Sequence, residues 1–153
     1  MSLGGANGGA SARDKQRTQA ARMLRSMTVD KGLLRETKAV QKTMSVLLDC
    51  KFYLDDLEDE LIVTALRMLV KDLLILFQAL NEGIVNILEQ YFEMSHIDAE
   101  QSLAIYRHFC KQTDRVVEYM GIARKLQNLL NVPIPNLNHV GISVLKLSRW
   151  LCH

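Results

Sequence analysis

The stretch that decides the fold is Asp55–Met94, DDLEDELIVTALRMLVKDLLILFQALNEGIVNILEQYFEM. It contains no proline, and Gly83 is its one glycine. As one continuous helix it would be roughly 60 Å long. Glu60, Thr64, Arg67, Lys71, Gln78, Glu82, Glu89 and Glu93 recur at helical steps and fall on one narrow polar stripe. Ile62, Leu66, Leu69, Leu73, Phe77, Leu80, Ile84, Ile87 and Tyr91 form an apolar face, with Leu61, Ala65, Met68, Ile75 and Ala79 beside it. A helix apolar over most of its girth needs other helices around it.

Working outward, Ser95 and Asp98 match the [ST]-x-x-[DE] spacing of a capping box, so the chain is expected to reverse at once into another helix. There Leu103, Tyr106, Phe109, Cys110, Val116, Val117 and Met120 form the buried side, and helix is expected to run to about Leu130. Asn131-Val-Pro-Ile-Pro then imposes extended backbone. Val140, Val144, Leu147 and Leu151 suit one last short helix.

Upstream, Leu33, Thr37, Val40, Met44 and Leu47 step by four, three, four and three, a seam for a neighbouring helix. Thr28 or Asp30 is expected to cap that helix, which ends near Asp49. Residues 1–14 bury too little apolar surface to order themselves, and residues 1–24 are read as disordered or linker. The fold class expected is all-α: an antiparallel three-helix bundle of long helices, residues 25–153, closed by a short C-terminal helix.

Composition narrows the function. The chain has 153 residues, 48% of them apolar, and a net charge of +2, too small to point to nucleic acid. Arg67, Lys71 and Asp72 inside the apolar stretch argue against a membrane span. Residues 13–38 are basic but define no headgroup pocket, so no lipid-binding residues are assigned. Cys50, Cys110 and Cys152 are an odd count at wide spacing, which suits a reducing compartment. His108 and Cys110, two residues apart on a helix, point to different sides, and no metal or cofactor is expected. There is no Gly-rich phosphate loop, HExxH or GxSxG, so no catalytic residue is named. Asp72-Leu73-Leu74 spells a linear coat-binding tripeptide, but mid-helix it reads as core. Gly83 costs about 1 kcal/mol inside a helix, which close approach of a neighbour would offset.

Lys71-Asp72, Leu80-Asn81-Glu82-Gly83-Ile84, Leu88-Glu89 and Tyr91-Phe92-Glu93-Met94, followed by Leu103, Ile105-Tyr106, Phe109 and later Ile134-Pro135, resemble the second half of the ANTH domain of CALM-type clathrin-assembly adaptors. Val29 to Glu36 looks more like fungal members, and the resemblance covers roughly residues 22 to 138. It implies a helical, non-enzymatic endocytic module that is cytoplasmic and peripheral at plasma-membrane clathrin-coated pits and vesicles. It also implies a groove for the helical motif of a vesicle-type (R-) SNARE. Two positions correspond to apolar contacts of that groove: Leu88 matches, and Thr113 replaces a larger apolar residue. The family's phosphatidylinositol bisphosphate site, K-x9-K-x-[KR]-[HY], has no counterpart; Lys15 and Arg25 keep the ten-residue step, but Met27 and Thr28 follow. Clathrin and phosphoinositide binding would then belong to parts of a full protein outside this sequence. From Gly141 the family's acidic terminal helix is replaced by ISVLKLSRWLCH. The alternative is a structural bundle that self-associates through uncovered apolar faces.

Overall fold

The computed structural model describes residues 12–134. Five helices follow one another: α1 (Ala12–Ser26), α2 (Leu33–Leu48), α3 (Glu60–Gln90), α4 (His96–Lys125) and the single turn α5 (Gln127–Leu130). Short 3-10 turns occupy Val29–Lys31, Leu54–Glu58 and Tyr91–Glu93, and there is no strand among the described residues. The expected all-α bundle of long helices is what forms. The C-terminal helix expected from about Asn138 lies outside the described residues.

The central rod is shorter at both ends than its composition implied. Asp59 is extended (φ −83, ψ 119), and its Oδ1 accepts from the Leu61 amide at 2.8 Å. That cap starts α3 at Glu60 and leaves Asp55, Asp56 and Glu58 in the preceding 3-10 turn. At the other end Met94 is extended, and Ser95 caps α4 by accepting from the Asp98 amide at 3.2 Å while its hydroxyl donates to the Asp98 carboxylate at 2.7 Å. The capping residues are those expected, but the Asp98 carboxylate meets the hydroxyl rather than a backbone amide.

Neither Thr28 nor Asp30 caps α2. Thr28 precedes the 3-10 turn without a side-chain bond, and Gly32, at φ 99, stands at the start of α2. A left-handed backbone there suits glycine alone among common residues.

A second difference is α1 itself, helical over residues the sequence marks as linker. Of its side chains Ala21 and Leu24 are buried. Two apolar contacts give a weak periodic signal; α3 supplies the rest of the stabilisation through polar groups. Asn86 Nδ2 donates to the carbonyls of Leu24 and Met27, both at 2.7 Å, and Gln90 Nε2 donates to Met27 at 3.1 Å. These amides satisfy carbonyls that a helix C-terminus leaves without partners.

Gly83 is the point of closest approach. A Cβ built there would sit 3.0 Å from Thr37 Oγ1 and 3.5 Å from Leu24 Cδ1, so α1 and α2 both press on this one position. Contacts advance in the same direction along α1 and α3, Leu24 by Gly83 and Met27 by Asn86 and Gln90, so these helices are parallel. The α2 and α4 pair is parallel too: Gln41 Nε2 donates to Ile105 O at 2.9 Å, and farther along Arg115 meets Asp49 at 2.6 Å. The layout is up-down-up-down, with α1 as the extra strut.

The core holds Leu33, Met44, Val70, Leu73, Leu80, Ile84, Ile87 and Val116 at 1% exposure or less. Phe77 and Phe109 stack across α3 and α4 with centroids 6.2 Å apart. Covering of α3 is incomplete, however: Leu61 is 80% exposed and Met68 47%. Farther along, the same face carries Ala79, Gly83 and Asn86, where α1 lies on it. Counting twelve residues back from Leu24, α1 reaches the level of about residue 71, which leaves the first turns of α3 bare.

Candidate partner-binding groove

The α2 side of α4 is fixed by a buried polar layer. Gln112 Nε2 donates to Gln41 O at 2.8 Å and to Ser45 Oγ at 2.7 Å, while Gln41 reaches Ile105 O. Leu103, Tyr106, Cys110, Thr113 and Val117, at steps of three, four, three and four, therefore lie on the flank of α4 turned away from α2. Tyr106 is buried and the other four are half-buried. On α3 the matching row is Leu74, Asn81 and Leu88, seven residues apart. Leu74 and Asn81 are half-buried, and the Asn81 Oδ1 is buried without a hydrogen-bond partner. These two rows lie on α3 and α4, the helices that the Phe77–Phe109 stack joins.

Leu88 lies on α3 and is 9% exposed, part of the core. Thr113 lies on α4, half-buried, its Oγ1 donating to the Phe109 carbonyl at 2.9 Å. The two do not touch as a pair: α3 and α4 run antiparallel through the Phe77–Phe109 stack, with Leu88 eleven residues beyond Phe77 and Thr113 four beyond Phe109. At 1.5 Å per residue they stand about 22 Å apart along the α3–α4 pair. That is about four turns of helix. Asn81, which the sequence reading did not single out as a site residue, falls between them in a heptad row with Leu74 and Leu88.

Elsewhere the surface chemistry is simple. Arg25 donates to both carboxylate oxygens of Glu89, at 2.7 and 2.8 Å, and its Nε lies 3.3 Å from Glu82. The hydrogen bond with Glu89 raises the Arg25 pKa, and the same bond lowers that of Glu89. Tyr119, on the α2 side, has its phenol pushed up to about 12 by burial and, secondarily, by nearby Cys50. Among the described residues no group of His, Cys, Asp and Glu could hold a metal ion. No helix among them is long and apolar enough to cross a membrane.

The model of the ANTH domain matches residues 3–149. The chain belongs to the ANTH family. An ENTH domain-containing protein of Schizosaccharomyces pombe is 42% identical over 121 residues, 79% of this chain and 19% of that protein. Clathrin coat assembly protein AP180A of Saccharomyces cerevisiae is 34% identical over 113 residues, 74% of this chain and 17% of the relative. The human phosphatidylinositol-binding clathrin assembly protein is 33% identical over 123 residues, 80% of this chain and 19% of the relative. The chain thus spans about a fifth of the length of these relatives. The ANTH match begins upstream of α1, so α1 falls within the matched region together with the long helices.

Proposed function

We propose that this ANTH-family chain is a non-enzymatic endocytic clathrin-adaptor module whose α3–α4 groove holds the helical motif of an R-SNARE as cargo. The observation that carries this reading is the half-buried α4 row, Leu103, Cys110, Thr113 and Val117, at the spacing one helix offers another. An amphipathic helix laid there would bury its apolar face between α3 and α4, and the four-turn distance from Leu88 to Thr113 suits such a ligand. The relatives' names add clathrin assembly and phosphatidylinositol binding. In this reading those activities come from regions of a longer adaptor outside this half-domain, and the module works in the cytoplasm, peripheral to the membrane at coated pits.

The test is pull-down with a panel of R-SNARE cytoplasmic segments. Thr113→Arg, at a half-buried position, should abolish capture without altering far-UV circular dichroism. Leu88→Ser should weaken capture as well, but Leu88 also packs in the core, so its stability is measured alongside. Failure of every R-SNARE to bind, or unchanged capture by Thr113→Arg, overturns the reading. Strong selection for bisphosphorylated phosphoinositide in liposome flotation would contradict the assignment of lipid binding to other regions.

Self-association is the second reading, favoured by the uncovered start of α3. Leu61, Ala65 and Met68 form an exposed apolar stripe. Light scattering that shows a monomer at high concentration removes it.

A further inference from the structure

A pocket of about 450 Å3 opens at the end of the bundle opposite the α3–α4 turn. That volume falls within the range of about 300–1,000 Å3 common to ligand sites. Buried Leu48, Leu66 and Ala123 line it from the core, and the less buried Phe52, Leu57 and Ile122 carry the apolar surface outward. The pocket is on the α2 side of α4, a different face from the row at Leu103, Cys110 and Thr113.

The wall is left unsatisfied in two ways. Apolar surface stays in water, since Ile122 is 55% exposed and Tyr53 68%. Tyr119 lines the pocket as well, and its hydroxyl is buried without a hydrogen-bond partner. Cys50, close enough to raise the pKa of that phenol, is a wall residue too, which places the hydroxyl toward the pocket. A buried hydroxyl without a partner is destabilising, and a bound group that supplies one removes the penalty.

The charge around the mouth is negative. Asp55, Asp56 and Glu58 surround Leu57 on the 3-10 turn, and Glu118 lines the wall. None of these four carboxylates is in an ion pair among the described residues. Against them stand Lys51 and Arg115, and Arg115 is already held by Asp49 at 2.6 Å.

We propose that this pocket docks a short peptide segment of a partner protein, anchored by a tryptophan and flanked by lysine or arginine. An indole supplies an apolar body for Leu48, Leu66 and Ile122, and one N–H for the Tyr119 oxygen to accept. The basic flanks lie against Asp55, Asp56, Glu58 and Glu118, which select the partner and orient it. Three of those carboxylates stand on the rim, so the ligand is a chain that runs out of the pocket, not a compact molecule confined to it.

The test is an NMR titration of the intact, isotope-labelled chain with the capped peptide Lys-Arg-Gly-Trp-Gly-Lys-Arg. Saturable shifts are expected at amides 48–58 and 115–126, with affinity falling as salt is raised. The same peptide with phenylalanine for tryptophan should bind about fivefold more weakly, the order of one neutral hydrogen bond. Tyr119→Phe should make the two peptides bind alike. A peptide with glutamate at every basic position should not bind. Ile122→Arg, at an exposed position, should abolish binding with far-UV circular dichroism unchanged. Absence of saturable shifts, shifts centred on Leu103, Cys110 and Thr113, binding of the acidic peptide, or a tryptophan preference that survives Tyr119→Phe would each overturn the proposal. R-SNARE capture is tested at Thr113 on the other flank of α4, so the two readings fail separately.

Discussion

Asn86, four residues before the end of α3, donates its amide hydrogens to carbonyls near the end of α1: Leu24 O and Met27 O, each at 2.7 Å. Its own Oδ1 accepts from Gln90 Nε2 at 2.6 Å, and Gln90 Oε1 in turn accepts from the Val29 amide at 3.2 Å. One side-chain pair thus closes the C-terminus of α1 and the turn after it. Replacing Asn86 with leucine takes the side-chain donor from Leu24 O, at about 1–3 kcal/mol if that carbonyl is left unsatisfied, while Met27 O keeps Gln90 Nε2 at 3.1 Å. Hydrogen exchange should show loss of protection concentrated in residues 18–29 of Asn86→Leu, with α4 unchanged. Uniform loss would mean that α1 is integral to the cooperative core.

Gly83→Ala sets two opposing effects against each other. Alanine gains about 1 kcal/mol in helix propensity. The added Cβ meets Thr37 Oγ1 at 3.0 Å, and overpacking of this kind costs about 1–3 kcal/mol. Net destabilisation is expected in urea titration. In a Thr37→Ala background, where that oxygen is gone, the same change should become neutral or stabilising.

Thr113 offers a gain-of-function test of the groove. Its hydroxyl is satisfied within its own helix by Phe109 O, so a methionine there displaces no bond to another element. Thr113→Met should tighten R-SNARE binding severalfold, consistent with about 0.8 kcal/mol per buried methylene. Isothermal titration calorimetry measures it, and weaker binding would place the ligand elsewhere.

The Arg25–Glu89 pair gives a pH dependence with a definite sign. The Glu89 pKa is lowered in the folded state by its bond to Arg25. Its contribution is therefore present above the ordinary carboxylate pKa and fades as pH falls through the depressed value. Glu89→Gln should flatten stability across the acid limb, read as urea midpoints. Because the pair is exposed, added salt should reduce the difference between variant and parent.

Tyr119 gives the opposite limb. Its phenol is raised to about 12, so the folded state favours the neutral form. That contribution is complete below the ordinary tyrosine value of about 10 and is lost as pH climbs through the raised one. Ultraviolet titration should show a late-ionising tyrosine that is lost in Tyr119→Phe.

What the sequence determined by itself was whatever depends on one helix at a time. Glu60, Thr64, Lys71, Gln78, Glu89 and Glu93 stay exposed because period and polarity place them on one stripe; Arg67 and Glu82 on that stripe are half-buried. Ser95 caps α4 because a hydroxyl three residues before a carboxylate acts locally. Gly83 signalled a close approach because its helix cost had to be offset by something.

Only the tertiary structure decided what depends on two helices meeting. The fifteen residues of α1 carry too few apolar side chains to declare a helix, and they are ordered by amides sixty residues downstream. Gln112 looks like a surface residue until its partners are the Gln41 carbonyl and the Ser45 hydroxyl of a facing helix. Leu61 and Ala79 share one face of α3, yet one lies in solvent and the other is buried, because α1 covers only part of the length of α3. Hydrophobic periodicity shows which face of a helix is apolar, but the neighbour that covers that face exists only once the chain has folded.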